Sequence, residues 1–198
     1  MTLVDSAPGI AATYRALSAR TGVAIDVAAA VRRLGPPLES ELALWYPAER
    51  VPEMVAEYRT LYPTHAIIPS RLLPGAAEAV AAVRAAGGRV LVVTAKKGEL
   101  AHLHLRHLGL PVDEVRGLAW ADGKASALRE AGAVAYVGDH VADMAAARAA
   151  GTFAVGVPTG PCSAVELADA GADVVLTDLR GFPSLLAQIA LGRGVSDG

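Results

Sequence analysis

The chain has 198 residues, of which 53% are hydrophobic and 19% are charged, and its formal net charge is −2. This composition is typical of a folded globular protein, and the lack of a basic excess argues against a nucleic-acid partner. The single cysteine excludes an intramolecular disulfide and fits a reducing compartment. No stretch approaches membrane-spanning length, and no signal-peptide profile is present. We therefore expect a cytoplasmic protein that binds neither membrane nor nucleic acid.

The first part of the chain is predicted to be helical. Residues 1–8 are too short and too interrupted by polar residues and proline to form a full strand. Helices are expected at residues 9–19, 27–34, 38–46 and 51–62. Asp26 is placed to cap the second of these helices, and prolines bound the last two. This segment lacks the β-branched runs that occur later in the chain.

The pattern changes at Leu73-Pro74-Gly75, after which helices and strands alternate. Strands are predicted at residues 89–94, 114–118, 134–138, 153–157 and 174–176. Helices are predicted at residues 76–86, 99–108, 124–131, 163–170 and 182–191, with one more ending at Gly151. Residues 192–198 are expected to be a frayed tail. Repeated helix-then-strand units with apolar strands predict a doubly wound parallel α/β sheet.

Two carboxylates follow the apolar strand that stops at Gly138. Asp139 and Asp143 lie between this strand and an alanine-rich helix, at the edge where open α/β sheets place their ligands. Two acids in a short loop attract a hard divalent cation. The alternative is that Asp139 is a turn residue and that Asp143 is an N-cap or first-turn acid favoured by the helix dipole.

Two further polar residues are predicted at the same edge of the sheet. Thr94 ends the strand at residues 89–94, and Lys124 begins the helix after the next extended segment. A hydroxyl donor, a fixed cation and a carboxylate pair are what a phosphoryl group needs for hydrogen bonding, charge neutralisation and a metal bridge. Taken singly, Thr94 is more often an ordinary strand-end residue and Lys124 a solvated helix lysine.

With these residues in this order, the chain resembles the haloacid dehalogenase superfamily, in particular its phosphoglycolate-phosphatase-like branch. Residues 138–143 match the family's Gly-Asp-x-x-x-Asp motif, and residues 91–94 match its strand ending in Thr. Lys124 is the best candidate for the family's lysine, and residues 2–6 match the tail of its Asp-x-Asp-Gly-Thr-Leu motif. The resemblance spans essentially the whole chain.

The resemblance implies a Rossmann-like core, residues 1–8 and 74–198, and an all-helical cap, residues 9–73, that closes over the site and selects the substrate. It implies Mg²⁺-dependent hydrolysis of a small phosphorylated metabolite by a monomer or homodimer. In that activity Thr94 and Lys124 would hold the phosphoryl oxygens, Asp139 would bind the metal, and Asp143 would support the metal through water or a hydrogen bond. Four residues of the cap segment are candidates for substrate contact: Tyr14, Arg15, Arg50 and His65.

The chain departs from the family at the first motif. Met1 stands where the glycine of that motif would be, so the aspartate nucleophile and the acid/base aspartate have no counterpart in this chain. A central strand buries apolar side chains worth about 1.5–3 kcal/mol each, and its loss is comparable to the net stability of a domain. We therefore expect that the natural protein begins upstream, with a strand between those at residues 89–94 and 134–138, and that this chain is inactive or weakly active. The alternative is a protein without a nucleophile that binds a phosphorylated ligand or a protein partner.

Other candidate residues have ordinary explanations as well. The spacing of His102, His104 and His107 puts only the last two on one helix face, which favours surface or cap-facing histidines over a metal site. Lys96 and Lys97 follow Thr94 and either extend its positive field or lie in a solvated loop.

Three more features are informative mainly by exclusion. Cys162 is expected to be a buried or loop thiol, and Thr159-Gly160 could line the mouth of the pocket. No glycine-rich phosphate-binding or dinucleotide motif follows a strand. The order of the acids and the threonine also differs from that of a response-regulator receiver.

Overall fold

The N-terminal part of the chain folds into helices, as the sequence predicts. The structure is a computed structural model that describes residues 1–193. The helices are α1 (Ala7–Thr21), α2 (Val27–Arg32), α3 (Leu38–Leu42) and α4 (Val51–Ala66), with a 3₁₀ turn at Ala48–Arg50. Asp26 caps α2 as predicted, because its carboxylate accepts a hydrogen bond from the Ala29 amide at 2.9 Å. We refer to residues 7–66 as the helical segment.

Two of these helices differ in length from the prediction. The third was expected at residues 38–46 but ends at Leu42, because the amides of Leu44 and Trp45 bond three residues back in a tight turn before Pro47. The fourth was expected to end before Pro63 but continues to Ala66, so the prediction of a proline stop was wrong. The buried face of α4 continues past the proline, and its packing offsets one missing hydrogen bond.

Helices α1 and α4 are packed closely enough that one contact excludes any side chain. A Cβ atom added to Gly9 would lie 2.3 Å from the carbonyl oxygen of Ala66. Beyond this contact Tyr14, Tyr58 and Tyr62 form a row, with successive ring centroids 4.9 and 5.7 Å apart. The helical segment therefore has a continuous, aromatic core.

The remainder of the chain alternates strands and helices. After β1 (Val4–Asp5), the strands are β2 (Arg71–Leu72), β3 (Leu91–Val93), β4 (Glu114–Arg116), β5 (Ala135–Gly138), β6 (Phe153–Gly156) and β7 (Val174–Val175). The helices are α5 (Ala76–Ala85), α6 (Gly98–His107), α7 (Asp122–Glu130), α8 (Val141–Ala150), α9 (Ala164–Asp169) and α10 (Phe182–Arg193), with a 3₁₀ turn at Leu179–Gly181. The predicted tail at residues 192–198 begins inside α10, and residues 194–198 lie outside the described residues.

The parallel strands are divided between two sheets. β3 pairs with β4, and β5 pairs with β6, which in turn pairs with β7, all in parallel. β1 and β2 form a separate antiparallel pair in which Val4 faces Leu72. The sequence predicts a gap between the strands at residues 89–94 and 134–138, and these strands do belong to different sheets.

Among residues 1–193, no strand pairs with the edge of β3 that faces β5. The Thr94 amide donates to the Arg116 carbonyl of β4, and successive residues of a strand direct their backbone groups to opposite sides. Leu91 and Val93 therefore direct theirs into the gap. A hydrogen bond of 3.5 Å crosses it, from Tyr136 Oη to the Val93 carbonyl.

The facing edge of β5 has the same character. The Gly138 carbonyl accepts from the Val157 amide just beyond β6, so Ala135 and Val137 direct their backbone groups away from β6 and into the gap. A cavity of about 440 Å³ is lined by residues of both β3 and β5 and extends to the helical segment. Within residues 1–193, no helix is both long and apolar enough to cross a membrane.

Candidate active site

The turn between β5 and α8 holds the two aspartates that the sequence singles out. A Cβ atom added to Gly138 would lie 2.2 Å from the Cβ of Asp143, so the strand end and the first turn of α8 are in direct contact. The Asp143 carboxylate accepts from the His140 amide at 3.2 Å, and His140 Nδ1 accepts from the Ala142 amide at 3.0 Å. The alternative reading of Asp143 as a first-turn acid thus describes part of its role, as one half of a capping box.

Asp143 also forms a buried ion pair with Lys124. The Lys124 ammonium lies 2.5 Å from Asp143 Oδ1, and both side chains are less than a tenth exposed. Tyr136 Oη donates to the same oxygen at 3.2 Å. Burial raises the pKa of Tyr136 well above its usual value, and the Asp143 charge adds to this rise, so the phenol remains a donor. The alternative of a solvated Lys124 is wrong, because α7 carries it inward to this carboxylate.

Asp139 lies on the other side of the same turn, next to the N-terminus. Its Oδ1 accepts a hydrogen bond of 2.8 Å from the Thr2 hydroxyl, and its Oδ2 contacts the Met1 ammonium. Thr159 holds Met1 in place by donating to its carbonyl at 2.7 Å. Gly160 is against the carboxylate, since an added Cβ would lie 1.8 Å from Oδ2. Thr159 and Gly160 thus lie beside Met1 and Asp139, but neither lines the cavity whose mouth the sequence suggested they could form.

Thr94 follows β3 and faces the same cavity. Its Oγ1 accepts a hydrogen bond from the Lys96 amide at 3.2 Å, which leaves the hydroxyl proton available to another acceptor. Thr94, Lys124, Asp139 and Asp143 all line the one cavity. The four residues, which the sequence placed at two strand ends and one helix start, thus share one cavity.

The side of the cavity opposite the strands is formed by the helical segment. Tyr14 and Tyr58 line it together with Arg33 and Glu41. The Arg33 guanidinium forms two hydrogen bonds with Glu41, of 3.0 and 2.6 Å, and Glu41 also accepts from Trp45 at 3.0 Å. These two charges therefore neutralise each other at the wall.

His140 connects this wall to the aspartate turn. Its ring is 5.4 Å from that of Trp120, in an edge-on arrangement. A Cβ atom added to Gly35, in the loop between α2 and α3, would lie 2.7 Å from Cδ2 of the imidazole. Burial lowers the pKa of His140, although the neighbouring Asp143 and Asp139 charges oppose this shift. The loop of the helical segment thus rests on the residue that follows Asp139.

A second polar cluster lies between the helical segment and α6, and sequence reasoning missed it. The Tyr62 hydroxyl is 2.9 Å from His104 Nε2 and accepts a hydrogen bond from Lys96 Nζ. Lys96 Nζ also lies 4.3 Å from the centroid of the Tyr62 ring. The spacing of the histidines favoured surface or cap-facing positions for them as a group, and no sequence signal linked His104 to a tyrosine 42 positions earlier.

Burial sets the protonation of this cluster. It lowers the pKa of His104 to about 4, with smaller contributions from the Lys96 and His107 charges, so this imidazole is neutral at pH 7. It also lowers the pKa of Lys96 to about 8. Tyr62 has its pKa raised by burial and therefore remains a neutral phenol.

The remaining sequence candidates lie elsewhere. Among the described residues, no group of three or more His, Cys, Asp or Glu side chains could hold a metal ion, so the three histidines of α6 do not form a metal site. Of the four cap-segment candidates, Tyr14 lines the cavity and Arg15, Arg50 and His65 do not. Cys162 is a half-buried free thiol packed against the α/β core, in agreement with the prediction.

Although no group of three or more His, Cys, Asp or Glu side chains in the described residues could hold a metal ion by itself, the aspartate turn offers one carboxylate that could contribute to a magnesium site. Mg²⁺ is commonly held by one or two carboxylates together with waters and substrate phosphate. Asp139 fits this description, because its carboxylate follows the end of β5 and lines the cavity. Asp143 is less suited to direct coordination, since Lys124 and the His140 amide already occupy its oxygens. An indirect supporting role for Asp143 remains a prediction.

The fold and the cavity first define a class, namely α/β proteins whose parallel strands end at a charged cavity beneath a helical segment. A sequence profile described as haloacid dehalogenase-like hydrolase matches residues 1–157. The chain therefore belongs to the haloacid dehalogenase-like hydrolases, as the motifs at residues 91–94 and 138–143 predict.

Solved structures support the fold across nearly the whole chain. A haloacid dehalogenase-like hydrolase from Bacteroides fragilis aligns with a TM-score of 0.79 at 23% identity, over 90% of this chain and 93% of that one. A structure described as a predicted phosphoglycolate phosphatase from Haemophilus somnus gives 0.78 at 19% identity, over 93% of each chain. A family hydrolase from Deinococcus radiodurans with bound phosphate and sodium gives 0.68 at 25% identity, over 96% and 92%.

A relative among characterised proteins has a different activity in its name. The tyrosine-protein kinase PtkA of Mycobacterium tuberculosis is 32% identical over 112 residues, which make up 55% of this chain. The match covers 38% of that kinase, so the chain spans well under half of its length.

Proposed function

We propose that this protein is a Mg²⁺-dependent hydrolase of small phosphomonoesters. The observation that carries the proposal is the meeting of Thr94, Lys124 and Asp139 on one cavity at the ends of β3 and β5. Membership of the haloacid dehalogenase-like hydrolases supports this reaction class. The relatives described as phosphoglycolate phosphatases and the family structure with bound phosphate support a small phosphorylated ligand.

In this proposal the phosphoryl group binds between Thr94 and Lys124. The Thr94 hydroxyl donates to one phosphoryl oxygen, because its own oxygen already accepts from the Lys96 amide. Lys124 has three ammonium protons, of which one is directed to Asp143, so two remain for phosphoryl oxygens. Its burial strengthens these charge-assisted bonds relative to those of a solvated lysine.

The acidic part of the site has two roles in the proposal. Asp139 holds the Mg²⁺ ion, which when bound neutralises charge on the phosphoryl oxygens. Asp143 fixes Lys124 and is itself fixed by Tyr136 and the His140 amide. The side chains that touch substrate are thus oriented by a second set of buried hydrogen bonds.

The helical segment acts as the cap in this proposal. Its aromatic wall, Tyr14 and Tyr58, faces the strand ends across the cavity. Its loop at Gly35 contacts His140 directly, so a movement of the segment would change the packing of the residue next to Asp139. A cap in this position excludes water and contacts the leaving group of the ester.

The nucleophile comes, in this proposal, from a strand that fills the gap between β3 and β5. Among the described residues, the acids that line the cavity are Glu41, Asp139 and Asp143. Glu41 and Asp143 are already paired with cations, and Asp139 is assigned to the metal. An aspartate at the end of an inserted strand would lie at the same edge as Thr94 and Asp139 and could attack in line with the leaving oxygen.

Two measurements on two proteins test this function. The chain as printed and a version extended by its in-frame upstream codons are assayed against a panel of small phosphoesters with Mg²⁺. We expect turnover by the extended version and little or none by the printed chain. Equal turnover by the two proteins would contradict the proposal that an inserted strand supplies the nucleophile. No turnover by either protein would contradict the proposed hydrolase function.

Amide hydrogen exchange gives a readout that does not depend on turnover. The amides of Leu91, Val93, Ala135 and Val137 face the gap, and we expect their exchange to slow in the extended version because a new strand supplies acceptors. The matched control is the Thr94 amide, which already bonds to β4. Unchanged exchange at the gap-facing amides would show that no strand is inserted there.

The second candidate function is binding of a phosphorylated ligand without turnover. It is favoured because Glu41 is paired with Arg33 and Asp143 with Lys124. Asp139 is then the cavity-lining carboxylate without a Lys or Arg partner among the described residues. This candidate predicts that phosphate binds to the printed chain and that the extended version gains no activity. The phosphoester panel therefore distinguishes the two functions.

A further inference from the structure

Lys96 differs from the other cations around the cavity. In the described part of the chain, the cavity is lined by the basic side chains of Arg33, Arg59, Arg89, Lys96, Lys97 and Lys124. All of these except Lys96 form an ion pair with a carboxylate, their partners being Glu41, Glu39, Glu114, Glu99 and Asp143. Lys96 donates instead to a neutral phenol, Tyr62. Within residues 1–193, its charge is therefore not compensated by a carboxylate.

The surroundings of Lys96 hold the ammonium in place without neutralising it. The groups that face it from the packed helices are the Tyr62 phenol of α4 and, beyond that phenol, the neutral His104 of α6. The backbone is fixed as well, because the Lys96 amide donates to Thr94. Lys96 lines the same cavity as Thr94 and Lys124, between which the proposed phosphoryl site lies.

An uncompensated ammonium in a partly buried position favours an anion. Desolvation disfavours the charged form, and burial lowers the pKa of Lys96 to about 8. The group is still mostly protonated at pH 7, and a bound anion would restore the interaction that burial removes. Paired cations such as Arg33 offer less, because Glu41 already occupies the guanidinium.

We propose that Lys96, held by Tyr62, binds a second anionic group of the ligand, so that the protein selects phosphoesters whose leaving group carries its own negative charge. This inference rests on the proposed function, since it takes the phosphoryl group to lie at Thr94 and Lys124. The second anionic group is a carboxylate or another phosphoryl group, and Lys96 is a specificity-determining residue.

The test measures binding of non-hydrolysable probes to the printed chain by calorimetry. The probes are phosphonoacetate, methylenediphosphonate, the uncharged-tail analogue isobutylphosphonate, and inorganic phosphate. Lys96→Met removes the charge, and Lys97→Met is the matched control because Lys97 lines the same cavity but is paired with Glu99. Lys96→Arg keeps the charge and serves as the rescue variant.

We expect Lys96→Met to weaken binding of phosphonoacetate or methylenediphosphonate by about ten- to a hundredfold. Binding of isobutylphosphonate and phosphate should change by less than about threefold, Lys97→Met should match the unchanged protein, and Lys96→Arg should restore the preference at least in part. Of the two probes that carry a second anionic group, the one whose binding is weakened by Lys96→Met identifies that group as a carboxylate or a phosphoryl group. We also expect the preference to fall as the pH rises through 8, because Lys96 then loses its proton.

Two results would overturn the proposal. If Lys96→Met changes the affinity for all four probes equally, or for none of them, Lys96 does not bind a second anionic group. The phosphoryl site is not contradicted by that result. If the unchanged protein binds none of the probes, inorganic phosphate included, the phosphoryl site itself is refuted and the second subsite with it. The first result leaves the proposed function intact, so the two failures are distinguishable.

Discussion

The helical segment and the α/β region fill their interiors differently. Within residues 1–193, the buried apolar residues of the helical segment form one cluster, which includes Tyr14, Leu17, Leu42 and Tyr62. Those of the α/β region form three smaller clusters. Between them lies the cavity, with Lys124, Asp139 and Asp143 among the buried charged residues at its wall.

The two regions therefore contribute different properties: the helical segment contributes apolar packing, and the α/β region contributes the charged groups of the candidate site. The helical segment is held by close apolar packing, which needs no partner beyond its own helices and α6. The α/β region keeps charged groups and unpaired strand edges at one place, at an energetic cost that other packing must offset. Variants in the two regions should therefore fail in different ways.

The largest effect is expected for Asp139→Asn in the α/β region. In a turnover-competent form, such as the extended version, we expect Mg²⁺-dependent turnover to fall by about a thousandfold or more, because a neutral amide no longer holds the metal. The melting temperature should change little. The control is Asp169→Asn, an exposed acid at the end of α9. Full activity of Asp139→Asn would remove this residue from the metal site.

The next effect concerns stability of the same region. Lys124→Met leaves Asp143 buried without its ammonium partner, and breaking such a pair costs about 3–5 kcal/mol of unfolding free energy. Chemical denaturation measures this loss. The surface pair Lys97–Glu99 provides the contrast, and Lys97→Met should change the unfolding free energy by less than about 1 kcal/mol. Similar values for the two variants would show that burial does not distinguish the pairs.

A substitution in the helical segment tests its packing alone. Gly9→Ala places a methyl group against the Ala66 carbonyl, and we expect a loss of about 1–3 kcal/mol from the forced shift of α1 against α4. Gly123→Ala in α7 is the matched control, since an added Cβ there meets nothing within 4 Å. It should be neutral or stabilising by up to about 1 kcal/mol. If Gly9→Ala is as well tolerated, the two helices are not in close contact.

The smallest effect is a pH dependence at the boundary of the two regions. The pKa of His104 is lowered to about 4 in the folded protein from an ordinary value of 6.5. Its contribution to stability is therefore fully present above pH 6.5 and is lost as the pH falls through 4. At pH 5.5 the loss is at most about 1.4 kcal/mol, the value of one pKa unit.

This dependence is measured by comparing unfolding free energies at pH 7 and pH 5.5. His104→Gln should reduce the loss on acidification, whereas His102→Gln, on the exposed face of α6, should leave it unchanged. Equal pH dependence in all three proteins would mean that the His104 imidazole is solvated enough to protonate in the folded state.

The sequence by itself determined the order of the elements and which polar residues stand at their ends. Apolar runs and glycine stops located every strand from residue 91 onward to within a few residues, because these signals are local. The same local signals identified Thr94, Lys124, Asp139 and Asp143, since a residue at the carboxyl end of a parallel strand is placed by the fold class. The limits of local signals are visible at Pro63, where packing of α4 overrode the expected stop.

Only the tertiary structure decided which charges remain without a partner. Lys96 and Lys97 are neighbours of the same type, and no pattern in the sequence separates them. One is paired with Glu99 at the surface, and the other is bound by Tyr62, 34 positions away. The reason is physical: the pairing and solvation of a charge depend on which distant side chains folding brings within hydrogen-bonding distance.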